Sequence, residues 1–295
     1  MKKYPGIRTI VWVLSVVSLY AVETSHSFLS QHPAHPFSRS MTMITAHFGP
    51  TPRRVGIDWP VTLKTSVPIS TSQLRRDLSV SPATALNIVH RSPNQYLVKP
   101  KHFWPANHHI TVSFTRAGQA PIRDLLTTDN GREIRINLTK QTLSLWAHGR
   151  MLMEMPTSTG APPKWSTPTG TFWIYRRVQD DHMRGGNAKQ GTAWDVRHVP
   201  WAEYFYGGIA IHGAWWNRHI GRPVSHGCVQ LSTQTTPNGL VPDRPPNAEI
   251  VWKFADLGTP VIISGRTPQN ISRPLGYPRS NGWPSDAKSF ASLGP

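Results

Sequence analysis

Prolines divide the first half of this sequence into short segments, and this constrains the fold more than any other feature. Eight prolines fall between residues 50 and 105: Pro50, Pro52, Pro60, Pro68, Pro82, Pro93, Pro100 and Pro105. Proline lacks a backbone N–H donor and interrupts helices and central strands. With 28 Pro and 22 Gly among 295 residues, the chain favours a β-rich architecture with many turns over a helical bundle.

Apolar residues alternate with polar ones between these prolines. The alternating or apolar runs are Val55, Ile57, Trp59, Val61 and Leu63, then Tyr96-Leu97-Val98, then Ile110, Val112 and Phe114. Short period-2 runs separated by turn residues are typical of β-sandwiches. We therefore predict a sandwich domain over residues 51–117, followed by a linker at Gly118–Pro121.

A second β-rich unit is predicted over residues 122–266. Its expected strands are 133–138, 172–175, 209–211 and 260–263, with a hairpin formed by 143–146 and 151–153. One helix is predicted at 247–257. The polar, glycine-containing stretch 180–191 predicts a mobile loop, and 267–295 is a Pro/Ser-rich tail. The fold class is therefore mostly β.

The N-terminus has the pattern of an export signal. Lys2, Lys3 and Arg8 precede the uncharged run 10–22, which Glu23 closes. Thirteen residues are too short to span a bilayer comfortably, but they suit the apolar region of a signal peptide. We expect 1–23 to be a signal peptide or N-terminal anchor, 24–50 a linker, and the protein to be exported to the cell wall or the outer face of the membrane.

The chain is strongly basic, with a formal net charge of +17. Residues 24–120 hold ten basic and only two acidic residues. Such a charge favours an anionic partner: nucleic acid, phospholipid or an acidic polymer such as a bacterial wall. Export, and the lack of a basic run or a recognised nucleic-acid module, argue against nucleic acid.

The single cysteine, Cys228, lies in the segment 211–231 together with His212, His219 and His226. A thiol is nucleophilic as its thiolate, and an imidazole can take its proton. Acyl transfer would also need backbone N–H donors for an oxyanion. Gly227 and Gly213 have no Cβ, which permits close backbone approaches at both places.

Two other interpretations remain open for this segment. His212, His219, His226 and Cys228 have the side-chain chemistry of zinc ligands, although no carboxylate lies nearby in sequence to orient the imidazoles. Alternatively, Cys228 is a small buried apolar residue in a structural turn.

The motif Ser225-His226-Gly227-Cys228-Val229, with His212-Gly213 beginning sixteen residues before the cysteine, resembles the signature of L,D-transpeptidases with a YkuD-type catalytic domain. Further similarities are Ser158-Thr159-Gly160, 167–172, the strand and hairpin 133–155 and the run 258–263. The first unit resembles the Ig-like module of mycobacterial-type members, through Val61-Thr62-Leu63 and Phe103-Trp104-Pro105-Ala106.

This resemblance implies roles for the site residues. Cys228 would be the nucleophile, His212 its base, and the Gly213 carbonyl would orient the imidazole. Backbone N–H groups of His226, Gly227 and Cys228 would bind the oxyanion. The stretch 180–201 would cover the substrate as a lid, with Trp194 stacking on it.

Two positions near the cysteine leave the mode of substrate recognition open. The family often has Arg, and in some members Asn, two residues after the cysteine, whereas this chain has Gln230. A glutamine amide can hydrogen-bond a stem peptide but cannot form an ion pair with a carboxylate. Ser225 would either donate a hydrogen bond to the substrate or cap the turn.

The implied function is a peptidoglycan L,D-transpeptidase that forms 3→3 cross-links through a cysteine acyl-enzyme, without a cofactor. Its partners would be wall stem peptides and the anionic wall, with carbapenems as inhibitors. An L,D-carboxypeptidase and a non-catalytic wall-binding protein are the alternatives.

Overall fold

A computed structural model describes residues 44–190, 192–218, 220–234 and 246–269. The predicted export signal 1–23, most of the linker 24–50 and nearly all of the tail 267–295 lie outside these residues. Within the described ranges, no helix is both long and apolar enough to cross a bilayer. The expectation of a mostly β fold is confirmed.

The first unit consists of two four-stranded sheets. Its elements are β1 (Ala46–Phe48), β2 (Arg54–Val55), β3 (Val61–Thr65), α1 (Thr71–Asp77), β4 (Leu78–Ser81), β5 (Leu86–Ser92), β6 (Gln95–Pro100), β7 (His109–Phe114) and β8 (Ile122–Thr128). The strand orders are β1-β3-β6-β5 and β2-β8-β7-β4. Both sheets bury their alternate apolar residues in one core, which includes Val61, Leu63, Val98, Ile110 and Val112. The unit is therefore a β-sandwich.

The sandwich extends beyond the bounds predicted from the sequence. The prediction assigned 46–48 to the linker and 122–128 to the second unit. β1 pairs with β3, and β8 pairs with both β7 and β2, so both strands belong to the sandwich. Gly118–Pro121 is therefore a turn between paired strands β7 and β8 and not a linker between domains.

The second unit holds two further sheets and a helix. Its elements are β9 (Glu133–Asn137), β10 (Thr142–Ala147), β11 (Arg150–Pro156), β12 (Gly170–Trp173), β13 (Arg176–Gly185), a 3-10 turn (Ala188–Gln190), β14 (Trp194–Tyr206), β15 (Ile209–Gly213), β16 (Val229–Leu231), α2 (Asn247–Phe254) and β17 (Pro260–Ser264). The strand orders are β11-β10-β9-β17-β12 and β13-β14-β15-β16. A core that includes Ile134, Leu143, Ile211, Val229 and Val251 joins both sheets and α2.

The predicted mobile loop at 180–191 is instead largely an ordered hairpin. β13 and β14 pair antiparallel from Arg176–Tyr204 to Gly185–Trp194. The polar residues that suggested a loop form cross-strand pairs on the exposed side: His182 Nε2 lies 2.6 Å from Asp195 Oδ1, and His198 Nδ1 lies 3.1 Å from Asp180 Oδ2. A short apolar face lies on the other side of the hairpin, which is why the segment folds as strands.

The sandwich packs directly against the second unit. The Gly56 N–H donates to the Leu257 carbonyl at 2.7 Å, and the Asp58 N–H donates to the Gly258 carbonyl at 3.0 Å. A Cβ on Gly56 would lie 2.2 Å from the Thr259 nitrogen, so this approach requires glycine. The Lys99 ammonium, paired with buried Asp58 at 2.9 Å, also lies over the Trp173 ring.

Candidate active site

Strands β15 and β16 place the predicted nucleophile and base on one face of a sheet. They pair in parallel, with Ile211 opposite Val229 and His212 opposite Gln230. Cys228 directly precedes β16, so its position in this register is opposite Ala210. Residues two apart on a strand face the same side. Cys228 and Gln230 therefore share a face with His212, and all three line one pocket of about 180 Å³.

His212 is buried, and its tautomer follows from one contact. Nδ1 lies 2.9 Å from the carbonyl oxygen of Gly213. A carbonyl only accepts hydrogen bonds, so Nδ1 carries the proton and Nε2 keeps its lone pair. Burial lowers the pKa of His212 to about 4, although the Gly213 carbonyl and the charge of Asp181 act in the opposite direction. At neutral pH the imidazole is therefore an uncharged base, oriented by Gly213 as the family resemblance implies.

The thiol of Cys228 is also uncharged in the resting state. Burial raises its pKa to about 11, against a smaller opposite effect of the Ala210 N–H. The surface of the residue is only partly covered, so the thiol is accessible from the pocket. The pair thus rests as thiol and neutral imidazole rather than as an ion pair, and the proton has to move when sulfur attacks.

Ser225 holds the turn that presents Cys228. Its hydroxyl donates to the Cys228 carbonyl at 2.5 Å and accepts from the Gly227 N–H at 3.1 Å. Its single hydroxyl hydrogen is used inside the turn, so this geometry supports the capping role among the two predicted for Ser225. Ser225 is itself buried, with 3% of its surface exposed.

Gly227 has a backbone conformation that favours glycine, with φ at +116°. Its carbonyl accepts from the Thr167 hydroxyl at 2.8 Å. Its N–H donates to Ser225 Oγ, so this structure does not support the prediction that the Gly227 N–H binds the oxyanion. The N–H groups of His226 and Cys228 remain the predicted donors.

Aromatic side chains from three segments surround the pocket entrance. The Trp194 ring stacks on the His226 ring, with 5.7 Å between centroids, and Trp165 meets His226 edge-on at 4.8 Å. Trp216 stacks on His212. Met183 and Val196 of the β13–β14 hairpin also line the pocket. Trp194 therefore lies at the pocket, as predicted, and the hairpin forms its wall.

Comparison with known proteins identifies the catalytic domain within the second unit. Residues 131–263 match the family model of the L,D-transpeptidase catalytic domain, YkuD. They form a YkuD-type L,D-transpeptidase catalytic domain. Among curated proteins, none matches this chain at a significant level.

Solved L,D-transpeptidase structures share the fold of this chain. An L,D-transpeptidase from Mycobacterium smegmatis is 23% identical and covers 76% of this chain and 100% of its own, with a TM-score of 0.62. L,D-transpeptidase 3 from Mycobacterium tuberculosis, solved with a faropenem-derived adduct, is 21% identical and covers 74% and 96%, with a TM-score of 0.60. An L,D-transpeptidase in complex with imipenem is 20% identical and covers 74% and 97%, with a TM-score of 0.62. The structural similarity therefore includes residues outside the range 131–263.

Buried polar side chains, for which the sequence indicated no role, support the turn at 225–228 that presents Cys228. We call this segment the catalytic turn of the transpeptidase domain. The Thr167 hydroxyl links the Gly160 N–H to the Gly227 carbonyl, at 2.8 Å on each side. The Gln141 amide bridges to Thr159 through its N–H and oxygen. The sequence motifs around Ser158 and Thr167 could have indicated these contacts, because their hydroxyl residues and glycines occur together in sequence.

Gln230 is held in place by Asn217, whose Nδ2 donates to Gln230 Oε1 at 2.8 Å. This contact fixes the amide orientation, with Oε1 toward Asn217 and Nε2 as the donor group. Gln230 also lines the pocket. Among the described residues, no three His, Cys, Asp or Glu side chains are grouped closely enough to hold a metal ion. His219, one of the zinc candidates, lies outside those residues.

Proposed function

We propose that this protein is an exported peptidoglycan L,D-transpeptidase that forms 3→3 cross-links through a Cys228 acyl-enzyme. The observation that carries this proposal is the pair of adjacent strands that directs Cys228 and His212 into one pocket. The bond to Gly213 leaves Nε2 of His212 as the proton acceptor. The family match supplies the reaction class.

In the first step, Cys228 Sγ attacks the carbonyl carbon after the third residue of a donor stem. The thiol proton passes to His212 Nε2 as the C–S bond forms. The N–H groups of His226 and Cys228 stabilise the resulting oxyanion. The intermediate then collapses, the C–N bond breaks, and the terminal D-amino acid leaves with the proton from His212.

In the second step, a side-chain amine of a neighbouring stem attacks the thioester carbonyl. The amine loses a proton through His212, and the thiol of Cys228 is regenerated as the new amide bond forms. Water in place of the amine gives the carboxypeptidase reaction.

Gln230 and the pocket-lining residues of the β13–β14 hairpin, Met183, Trp194 and Val196, would recognise the donor stem. The Gln230 amide N–H groups suit a stem carbonyl, and Trp194 gives an aromatic surface for the stem backbone. The same site suits β-lactams, which are acyl donors. Relatives of this fold have been solved with imipenem and with a faropenem-derived adduct. We therefore propose carbapenems as inhibitors that acylate Cys228.

The test is to incubate the full-length protein with a disaccharide-tetrapeptide and to measure the products by mass. We expect a cross-linked dimer lacking one terminal D-amino acid, and one carbapenem mass added to the intact wild-type protein. Cys228→Ala should abolish both, and Cys228→Ser should leave at most a trace because an alkoxide forms far less readily than a thiolate.

The product identifies the reaction. A free tripeptide without dimer would instead indicate a carboxypeptidase. Folded wild-type protein that gives neither product nor adduct would exclude the enzyme and favour a wall-binding protein.

A further inference from the structure

One row of side chains across the β13–β16 sheet leads from Arg176 to the nucleophile. Arg176 pairs with Tyr204, Tyr204 pairs with Ala210, and the β15–β16 register continues this row to Cys228. Side chains in register on neighbouring strands face the same side. Ala210 is small and fully buried, so little material separates Tyr204 from the catalytic pair.

The Tyr204 side chain holds a carboxylate in this row. Its hydroxyl donates to Asp181 Oδ2 at 2.6 Å. The Arg176 Nη2 lies 3.3 Å from the same oxygen, and its guanidinium lies over the Tyr204 ring, 4.2 Å from the centroid. Asp181 is 13% exposed at its side chain, whereas its neighbour Asp180 is 63% exposed. Asp181 is therefore a fixed charge on the inner side of the hairpin.

We propose that Asp181, held by Tyr204 and Arg176, is a positioning residue for catalysis whose negative charge stabilises the His212 imidazolium formed when Cys228 loses its proton. This inference rests on the proposed function. It adds a carboxylate from the β13–β14 hairpin to a site in which the Gly213 carbonyl is the direct partner of His212. The hairpin would thus contribute to the chemistry as well as to the pocket wall.

Electrostatics support this role. Burial lowers the pKa of His212, and the Asp181 charge opposes that effect. Burial and Asp181 together raise the pKa of Tyr204, so Tyr204 stays protonated and remains a donor to Asp181. A nearby opposite charge favours the charged form of an ionisable group, and the effect is larger where water is excluded.

The other charged or titratable groups around His212 have different partners or positions. Cys228 and His226 lie across the same pocket. Arg177 pairs with Glu203, whose strand position places it on the opposite face of β14 from Tyr204, and Glu249 and Lys253 of α2 pair with each other. The charge of Asp181 raises the pKa of His212 against the effect of burial and so favours the imidazolium.

The test compares Asp181→Asn with Asp180→Asn in the full-length protein. Both variants remove one negative charge from the same hairpin, and asparagine at 181 can still accept the Tyr204 hydrogen bond. Two quantities are measured: the rate of carbapenem acylation of Cys228, and the pH at which the His212 ring titrates by NMR, assigned with His212→Gln.

We expect Asp181→Asn to slow acylation about 3–10-fold and to lower the His212 titration by about 0.5–1 pH unit. Asp180→Asn should leave both quantities unchanged. Tyr204→Phe, which frees the carboxylate, should give a smaller loss in the same direction. A merely structural role for Asp181 would not move the His212 titration.

Equal acylation rates and equal His212 titration in Asp181→Asn and Asp180→Asn would overturn the inference. If wild-type protein is not acylated at all, the proposed function fails. The His212 titration then decides the inference about Asp181 independently.

Discussion

The sandwich core and the surroundings of Cys228 in the transpeptidase domain bury different kinds of side chain. The interior of the sandwich is apolar, with Val61, Leu63, Tyr96 and Val98 among its buried residues. Around Cys228 the buried residues include many polar ones: Gln141, Thr157, Ser158, Thr159, Thr167, Ser225 and Gln230.

This difference reflects how each region is held together. Apolar alternation is enough to stack two sheets, because burial of apolar surface has no preferred direction. A catalytic turn has no regular backbone ladder, so its backbone groups need specific partners such as Ser225 and Thr167. The sandwich should therefore respond to loss of volume, and the catalytic turn to loss of single hydrogen bonds.

The largest effect on stability is expected in the sandwich. Trp104 is 2% exposed, and its Nε1 donates to the Trp59 carbonyl. Trp104→Ala should lower the free energy of unfolding by about 3–5 kcal/mol, because it leaves a large cavity. Trp215→Ala removes the same atoms from an exposed position and should change it by less than about 0.5 kcal/mol. Urea unfolding of both variants measures the difference.

The same Trp104→Ala protein also tests whether the two regions are independent. Its folded fraction should be acylated by a carbapenem at the wild-type rate, since Trp104 does not line the pocket. A slower rate per folded molecule would show that the sandwich core also shapes the active site, and the contrast between the regions would fail.

A smaller effect on stability, with a direct effect on chemistry, is expected at Ser225. Ser225→Ala leaves the Gly227 N–H and the Cys228 carbonyl without their partner. An unsatisfied buried group costs about 1–3 kcal/mol, and we expect acylation to slow about tenfold as the turn loosens. Ser166→Ala, at an exposed serine, is the matched control. If the two variants react at equal rates, the turn does not depend on the serine.

The smallest effect is expected from pH. Burial lowers the pKa of His212 to about 4 and raises that of Cys228 to about 11. The imidazole is neutral above the lower value and the thiol is protonated below the upper one, so the reactive form persists between them. Acylation rates should therefore change less than about twofold from pH 5.5 to 9.5.

Stopped-flow measurement with a parallel control for drug hydrolysis would check this pH prediction. Inflections in the pH–rate profile near pH 6.5 and 8.5, the ordinary pKa values of the two groups, would contradict it. They would mean that burial does not shift the pKa values of His212 and Cys228.

The sequence predicted the parts of this protein that depend on local pattern. Alternating apolar residues in β3, β7 and β9 marked strands because one face of each is buried. The residues 225–229 and 212–213 indicated the family, and Cys228 and His212 as candidate nucleophile and base, because their side-chain chemistry is readable without coordinates. The hairpin of β10 and β11 was likewise visible from its turn at His148-Gly149.

The sequence pattern failed where partners are distant along the chain. β8 was assigned to the wrong unit, since only pairing with β7 and β2 places it in the sandwich. The β13–β14 hairpin looked like a loop because its exposed residues are polar pairs. The tertiary structure alone brings Thr167 to Gly227, uses the Gly227 N–H within the turn, and places Asp181 and Tyr204 on the face shared by His212 and Cys228. Strand register and long-range hydrogen bonds decide these contacts, and neither leaves a periodic signal in sequence.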